Sequence, residues 1–152
     1  MSVAHGRRGL LTVADPDRSL ELTGTQASDA ATARQFVGDV AVGRVSVRML
    51  ADMQVVAGEL VLLSVRPQAV GPIEIGVRVW PRRATVTLRC ATGRLDHLPP
   101  RPSKWASAEL APDQLGLRII WGMSDAVRSR TSGGVLSITA VFRNRERRRR
   151  AS

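Results

Sequence analysis

Ile73, Ile75, Val77 and Val79 alternate with Glu74, Gly76, Arg78 and Trp80. A period of two with one apolar side defines a strand that has to be covered on one face. Val86, Leu88 and Cys90 repeat the pattern against Thr85, Thr87 and Arg89, after the turn signal Pro81-Arg82-Arg83, so the two runs read as a hairpin. The rest of the chain must supply an apolar layer for that sheet. With three tryptophans, two phenylalanines and no tyrosine, the layer has to be built mainly from Val, Leu, Ile, Ala and Met.

The segments upstream can provide it. Residues 19–23 alternate and read as a short strand ended by Gly24. Thr25 or Ser28 suits a helix cap and Asp29 suits a first helical turn; Ala33, Phe36, Val37 and Val40 then share one face of a helix ending near Gly43. A second helix is predicted over residues 47–65, where Leu50, Met53, Gln54, Ala57, Leu60, Val61 and Ser64 recur at helical spacing. Pro67 stops it, because proline disfavours the helical conformation of the residue before it.

Residues 91–112 carry Gly93, Pro99, Pro100, Pro102 and Pro112 with little periodicity. A loop of that length inside a domain reads as a functional segment such as a lid. Pro112-Asp113 opens a helix from Gln114 to about Met123, and residues 127–131 and 135–142 pair across Ser132-Gly133-Gly134. The order is strand, helix, helix, strand, strand, loop, helix, strand, strand. It predicts an α+β two-layer sandwich, a mainly antiparallel mixed sheet covered on one face by about three helices. The 152 residues suit one domain over 18–142, with a leader at 1–17 and an Arg-rich tail at 143–152.

Composition narrows the chemistry. Cys90 is the single cysteine, so neither an internal disulfide nor a cysteine metal cluster can form, and no metal ligand set is predicted. His5 and His97 are far apart and read as loop residues. Arg7-Arg8 imitates a twin-arginine signal, but the apolar stretch behind it stops at Asp15. The longest mostly apolar run, 55–65, contains Glu59 and is too short to span a bilayer. The chain is therefore expected in the cytoplasm, away from membranes.

The net charge of +10 suggests nucleic acid, but its distribution argues against that partner. Six arginines against Glu146 over residues 143–150 supply half of the charge. A charged terminus of this kind reads as a solvated extension, and no aromatic platform accompanies it.

Three short stretches, in this order, resemble the histidine-kinase-like ATPase superfamily. The run as a whole is most similar to the small bacterial anti-sigma-factor serine kinases. The first stretch is Glu59-Leu60-Val61-Leu62-Leu63 on the second helix. In the family the Glu is a base toward the attacking hydroxyl, and an Asn four residues on holds magnesium. Here Glu59 is kept and the Asn position is Leu63, which offers no oxygen to a hard cation.

The second stretch is Val86 to Thr92, where the family places an Asp that accepts a hydrogen bond from the adenine amino group. Cys90 or Ala91 stands there. The third is Gln114-Leu115-Gly116-Leu117-Arg118, similar to a Gly-x-Gly-Leu segment that opens a helix and holds phosphate on its amides. Its first glycine is Gln114, and Gly116 is kept. The resemblance implies a vestigial nucleotide site at Gly116, Leu117 and Arg118, lined also by Leu63, Cys90 and Ala91. Glu59 would be a vestigial catalytic base, and binding of ATP and magnesium would be lost or weakened.

The function implied is that of an anti-sigma-factor-like regulator, a pseudokinase acting by protein contact. Its expected partner is a sigma factor or an anti-sigma-factor antagonist, with self-association as the alternative. A second reading is an active ATP-dependent serine/threonine kinase that phosphorylates an antagonist protein. That reading needs arginines such as Arg118 or Arg94 to hold phosphate in place of the metal. A third is a nucleic-acid-associated protein that uses the basic tail. Trp105, in the long loop, is an interface anchor or a cover for an empty pocket.

Overall fold

The computed structural model describes residues 17–95, 98, 101 and 112–144. Most of the predicted leader and tail, most of the long loop, and His5, His97 and Trp105 lie outside the described residues. The elements are β1 (Arg18–Leu22), α1 (Asp29–Ala41), α2 (Val47–Ser64), β2 (Ile73–Val79), β3 (Arg83–Ala91), α3 (Pro112–Met123), β4 (Ala126–Ser132) and β5 (Val135–Arg143). The five strands form one sheet in the order β1-β2-β3-β5-β4.

Every pairing in that sheet is antiparallel, so the mixed character expected from the element order is not found. The connections explain this. The pairs β2–β3 and β4–β5 are hairpins. The chain returns through α3 and β4 before β5 lies antiparallel against β3. The tight β4–β5 turn needs Gly133 and Gly134, whose φ values of +58° and +77° suit the left-handed turn of a two-residue hairpin.

The sheet has one apolar side. Ile73, Ile75 and Val77 of β2, Ala84, Val86, Leu88 and Cys90 of β3, and Leu136, Ile138, Ala140 and Phe142 of β5 are buried. They meet Ala33 and Val37 of α1, Met53, Val56, Ala57, Leu60 and Val61 of α2, and Ile120 of α3 in one core. The α2 helix packs against α1, α3 and the sheet. It therefore buries Met49 and Val56 as well, outside the narrow stripe expected from periodicity. Gly58 allows the α1–α2 approach, since a Cβ there would lie 2.7 Å from the Arg34 guanidinium.

Both N-termini have a physical account. Ser46 caps α2 by accepting a hydrogen bond from the Met49 amide at 3.1 Å. The cap expected from Thr25 or Ser28 on α1 does not form. Ser28 is already in a right-handed helical conformation and makes no side-chain cap. A tight turn takes over the orphan amides instead, with Asp29 N donating to Gln26 O and Ala30 N to Ala27 O, both at 3.1 Å. Among the described residues, no helix is long and apolar enough to cross a membrane.

Leu60 is fully buried where α2 meets the core. Leu60→Ala is expected to lower the unfolding free energy by about 2–5 kcal/mol, the usual cost of such a cavity. Urea denaturation measures it, and a loss under about 1 kcal/mol would contradict the central place of α2.

Candidate functional site

The residues singled out from sequence fall into two groups. Glu59 and Gly116 meet at the α2–α3 contact: a Cβ built on Gly116 would sit 2.7 Å from Glu59 Oε2. Gly116 is the fifth residue of α3, because the helix begins at Pro112 rather than Gln114. Proline suits a first helical position, which explains the earlier start. Only the first four amides of a helix lack an internal partner. The Gly116 amide therefore lies inside the ladder, and its missing side chain makes room for the Glu59 carboxylate. Leu117 is buried at 6% exposure, whereas Arg118 is exposed.

The second group gathers at the end of the sandwich where α2 and β3 finish. Leu63 is half-buried and packs on the hydrophobic core. Cys90 is buried in the sheet, and Ala91 is exposed. Burial pushes the Cys90 thiol up from its ordinary pKa, only partly opposed by the charges of Arg94 and Arg66. The thiol is thus a neutral core group and a weak acceptor.

Arg94 dominates this end. Its side chain is 4% exposed, and no carboxylate pairs with it among the described residues. Its Nη1 donates to Gly24 O at 2.7 Å and to Ser64 O at 3.4 Å. Its Nη2 donates to Thr23 O at 2.7 Å and also to Gly71 O. Four backbone carbonyls thus solvate one buried guanidinium, and Nε has no partner among the described residues. The ends of β1 and α2, the loop before β2 and the segment after β3 are tied at one point. Gly24 is required there: its φ is +68°, and a Cβ would lie 2.6 Å from Arg94 Nη1 and 3.0 Å from Ile73 Cγ2.

Sequence reasoning named Arg94 only as a phosphate holder. The guanidinium is instead committed to carbonyl oxygens and is buried beneath them. The signal that could have found this role is weak: a lone arginine just past a strand end, near Gly24 and Gly71 only in the fold.

Magnesium and ATP are the groups the family resemblance would bring to this region. Of Glu59, Leu63, Cys90 and Ala91, only Glu59 carries a side-chain oxygen. Among the described residues, no group of three or more His, Cys, Asp or Glu side chains comes together. A hard cation needs several oxygen ligands, and this donor set does not fit one.

No protein-family profile matches the chain, and no curated protein does. Solved structures do. One match is the crystal structure of the RsbU and RsbW domains of Rv1364c from Mycobacterium tuberculosis, at 14% identity and a TM-score of 0.50. The alignment covers 84% of this chain and 33% of that one, so this chain spans about a third of its length. At that identity the likeness is one of fold alone.

Arg94→Ala would leave carbonyls buried without donors, each worth about 1–3 kcal/mol. A stability loss of about 3–5 kcal/mol is expected in urea denaturation, with little recovery in Arg94→Lys, whose single ammonium cannot span the same acceptors. A loss below about 1 kcal/mol would mean the guanidinium is dispensable. Cys90 gives an independent check. Its raised pKa means the folded state holds the thiol proton where the unfolded chain releases it, so stability is expected to fall as pH rises past the ordinary thiol pKa. A thiol reagent at neutral pH should label Cys90 only at the rate of unfolding; rapid labelling of the folded protein would contradict its burial.

Proposed function

We propose that this protein is an anti-sigma-factor-like regulator that acts by binding another protein, with ATP and magnesium binding lost or greatly weakened. The observation that carries the reading is Leu63. It stands one helical turn beyond Glu59 on α2, where a magnesium-binding member of the fold needs an oxygen, and it packs on the hydrophobic core. Cys90 and Ala91 add to it at the end of β3, where neither side chain is a strong acceptor for an adenine amino group.

The structural likeness to a chain containing an RsbW domain supports the regulatory reading. The partner would be a sigma factor or an anti-sigma-factor antagonist, met in the cytoplasm. Gly116, Leu117 and Arg118 would then be the scaffold remnant of a nucleotide site, and Glu59 a carboxylate with no hydroxyl to activate.

Titration calorimetry with ATP, with and without magnesium, tests the reading directly. No heat and no thermal stabilisation at millimolar ATP are expected. Micromolar, magnesium-dependent binding would overturn it and make the chain a kinase candidate.

A further inference from the structure

The side of the sheet turned away from the helices is polar and basic. Strand alternation and the pairing registers place Arg78, Arg83, Arg89, Arg128, Arg130 and Arg143 on it, with Glu21 and Glu74 as the acidic strand residues of the same face. Six arginines stand against two glutamates and Asp17, whose Oδ1 lies 3.9 Å from Arg78 Nε. The centre is small and hydroxylic, with Thr85, Thr87, Ser137 and Thr139 around Gly76, and Thr87 and Thr139 share a hydrogen bond at 3.1 Å.

The charge is graded across the sheet. Glu21 and Glu74 lie at the β1–β2 side, where Glu74 pairs with Arg89 at 3.7 Å. Arg128 and Arg130 lie on the opposite edge strand β4. Both are exposed, and neither side chain has a hydrogen-bond or ion-pair partner among the described residues.

We propose that this open face is a docking surface for an acidic segment of a partner protein, read by the arginines of β3, β4 and β5. The proposal rests on the reading of the chain as a protein-binding module and names the chemistry of the partner. Guanidinium groups fork carboxylates, and the threonine and serine hydroxyls between them supply further donors.

Two other occupants fit less well. A nucleic-acid strand would want flat aromatic rings on the face for its bases. Among the described residues, the aromatic on this rim, Trp80, already carries the Arg78 and Arg83 guanidinium groups at 4.6 and 4.4 Å from its ring. A second copy laid face to face would bring together two surfaces that each carry an excess of arginine, which like-charge repulsion opposes.

The test uses the full chain and a fluorescein-labelled twenty-residue peptide of Glu, Asp and Ala, followed by anisotropy at low salt. Arg128→Glu/Arg130→Glu is the variant; both sites are solvent-exposed on an edge strand, so its thermal midpoint should match the parent. The expected result is a loss of affinity of about tenfold or more in the Glu variant. A smaller loss is expected in Arg128→Lys/Arg130→Lys, which keeps the charge but not the fork. Equal affinity of parent and Glu variant would overturn the proposal and assign the binding to arginines elsewhere, such as those of residues 145–150.

A twenty-residue oligothymidylate that binds more tightly than the peptide, and loses that binding in the Glu variant, would overturn it in favour of nucleic acid. Parent chain that sediments as a dimer, with the Glu variant a monomer, would overturn it in favour of self-association. None of these outcomes depends on ATP, so a failure here and a failure of the nucleotide reading are told apart by the calorimetry.

Discussion

A charged group inside a protein has to be solvated by something, and here the solvent of Arg94 is the backbone itself. Thr23, Gly24, Ser64 and Gly71 each turn a carbonyl toward one guanidinium. These residues come from the end of β1, the end of α2 and the loop that leads into β2. None of them is near Arg94 in sequence. The guanidinium is planar and cannot lose its proton, so it offers a fixed fork of donors to chain ends that have no ladder to satisfy them. The Arg66 amide adds a further bond to Gly24 O at 3.0 Å, so the same carbonyl accepts twice. This end of the sandwich is thereby closed by polar contacts, while its middle is closed by aliphatic packing.

The same end of the sandwich holds Leu63, Cys90 and Ala91, positions that only the sequence resemblance links to a nucleotide. The residues at these positions take part in packing: Leu63 joins the core, Cys90 is a buried sheet residue, and Gly116 receives the edge of Glu59. A carboxamide at position 63 or a carboxylate at position 90 would have to find hydrogen-bond partners where an apolar side chain and a neutral thiol need none. Burying either without such partners would cost about 1–3 kcal/mol.

The strands were legible because a two-residue period survives in nearly every one of them. β2 and the hairpin β4–β5 follow directly from alternation and from Gly133-Gly134, and α2 from its spacing and Pro67. Boundaries that depend on backbone hydrogen bonds were less visible. The start of α3 at Pro112 moved Gly116 into the helix interior, and the entry to α1 used a backbone turn where a side-chain cap was expected. Mainly antiparallel pairing was expected, but the strand order was hidden, because it is set by the return of β5 beside β3 and by no local pattern. Least legible was Arg94. Its role exists only once four segments are assembled, and an arginine after a strand looks like any other surface cation.

The two faces of the sheet show how one alternating pattern carries two kinds of information. On β3, Ala84, Val86, Leu88 and Cys90 face the helices, while Arg83, Thr85, Thr87 and Arg89 face outward. The inner set is judged by volume and the absence of polar atoms, since a close-packed core punishes small changes. The outer set is under no such demand. Threonine and serine there satisfy strand propensity without apolar exposure, and arginine on the β4 edge discourages the sheet from extending into another chain. An outer face of this composition is readily hydrated and resists edge pairing. It still holds enough fixed positive charge to attract a carboxylate-rich surface, so the device that keeps the sheet from aggregating can also select what approaches it.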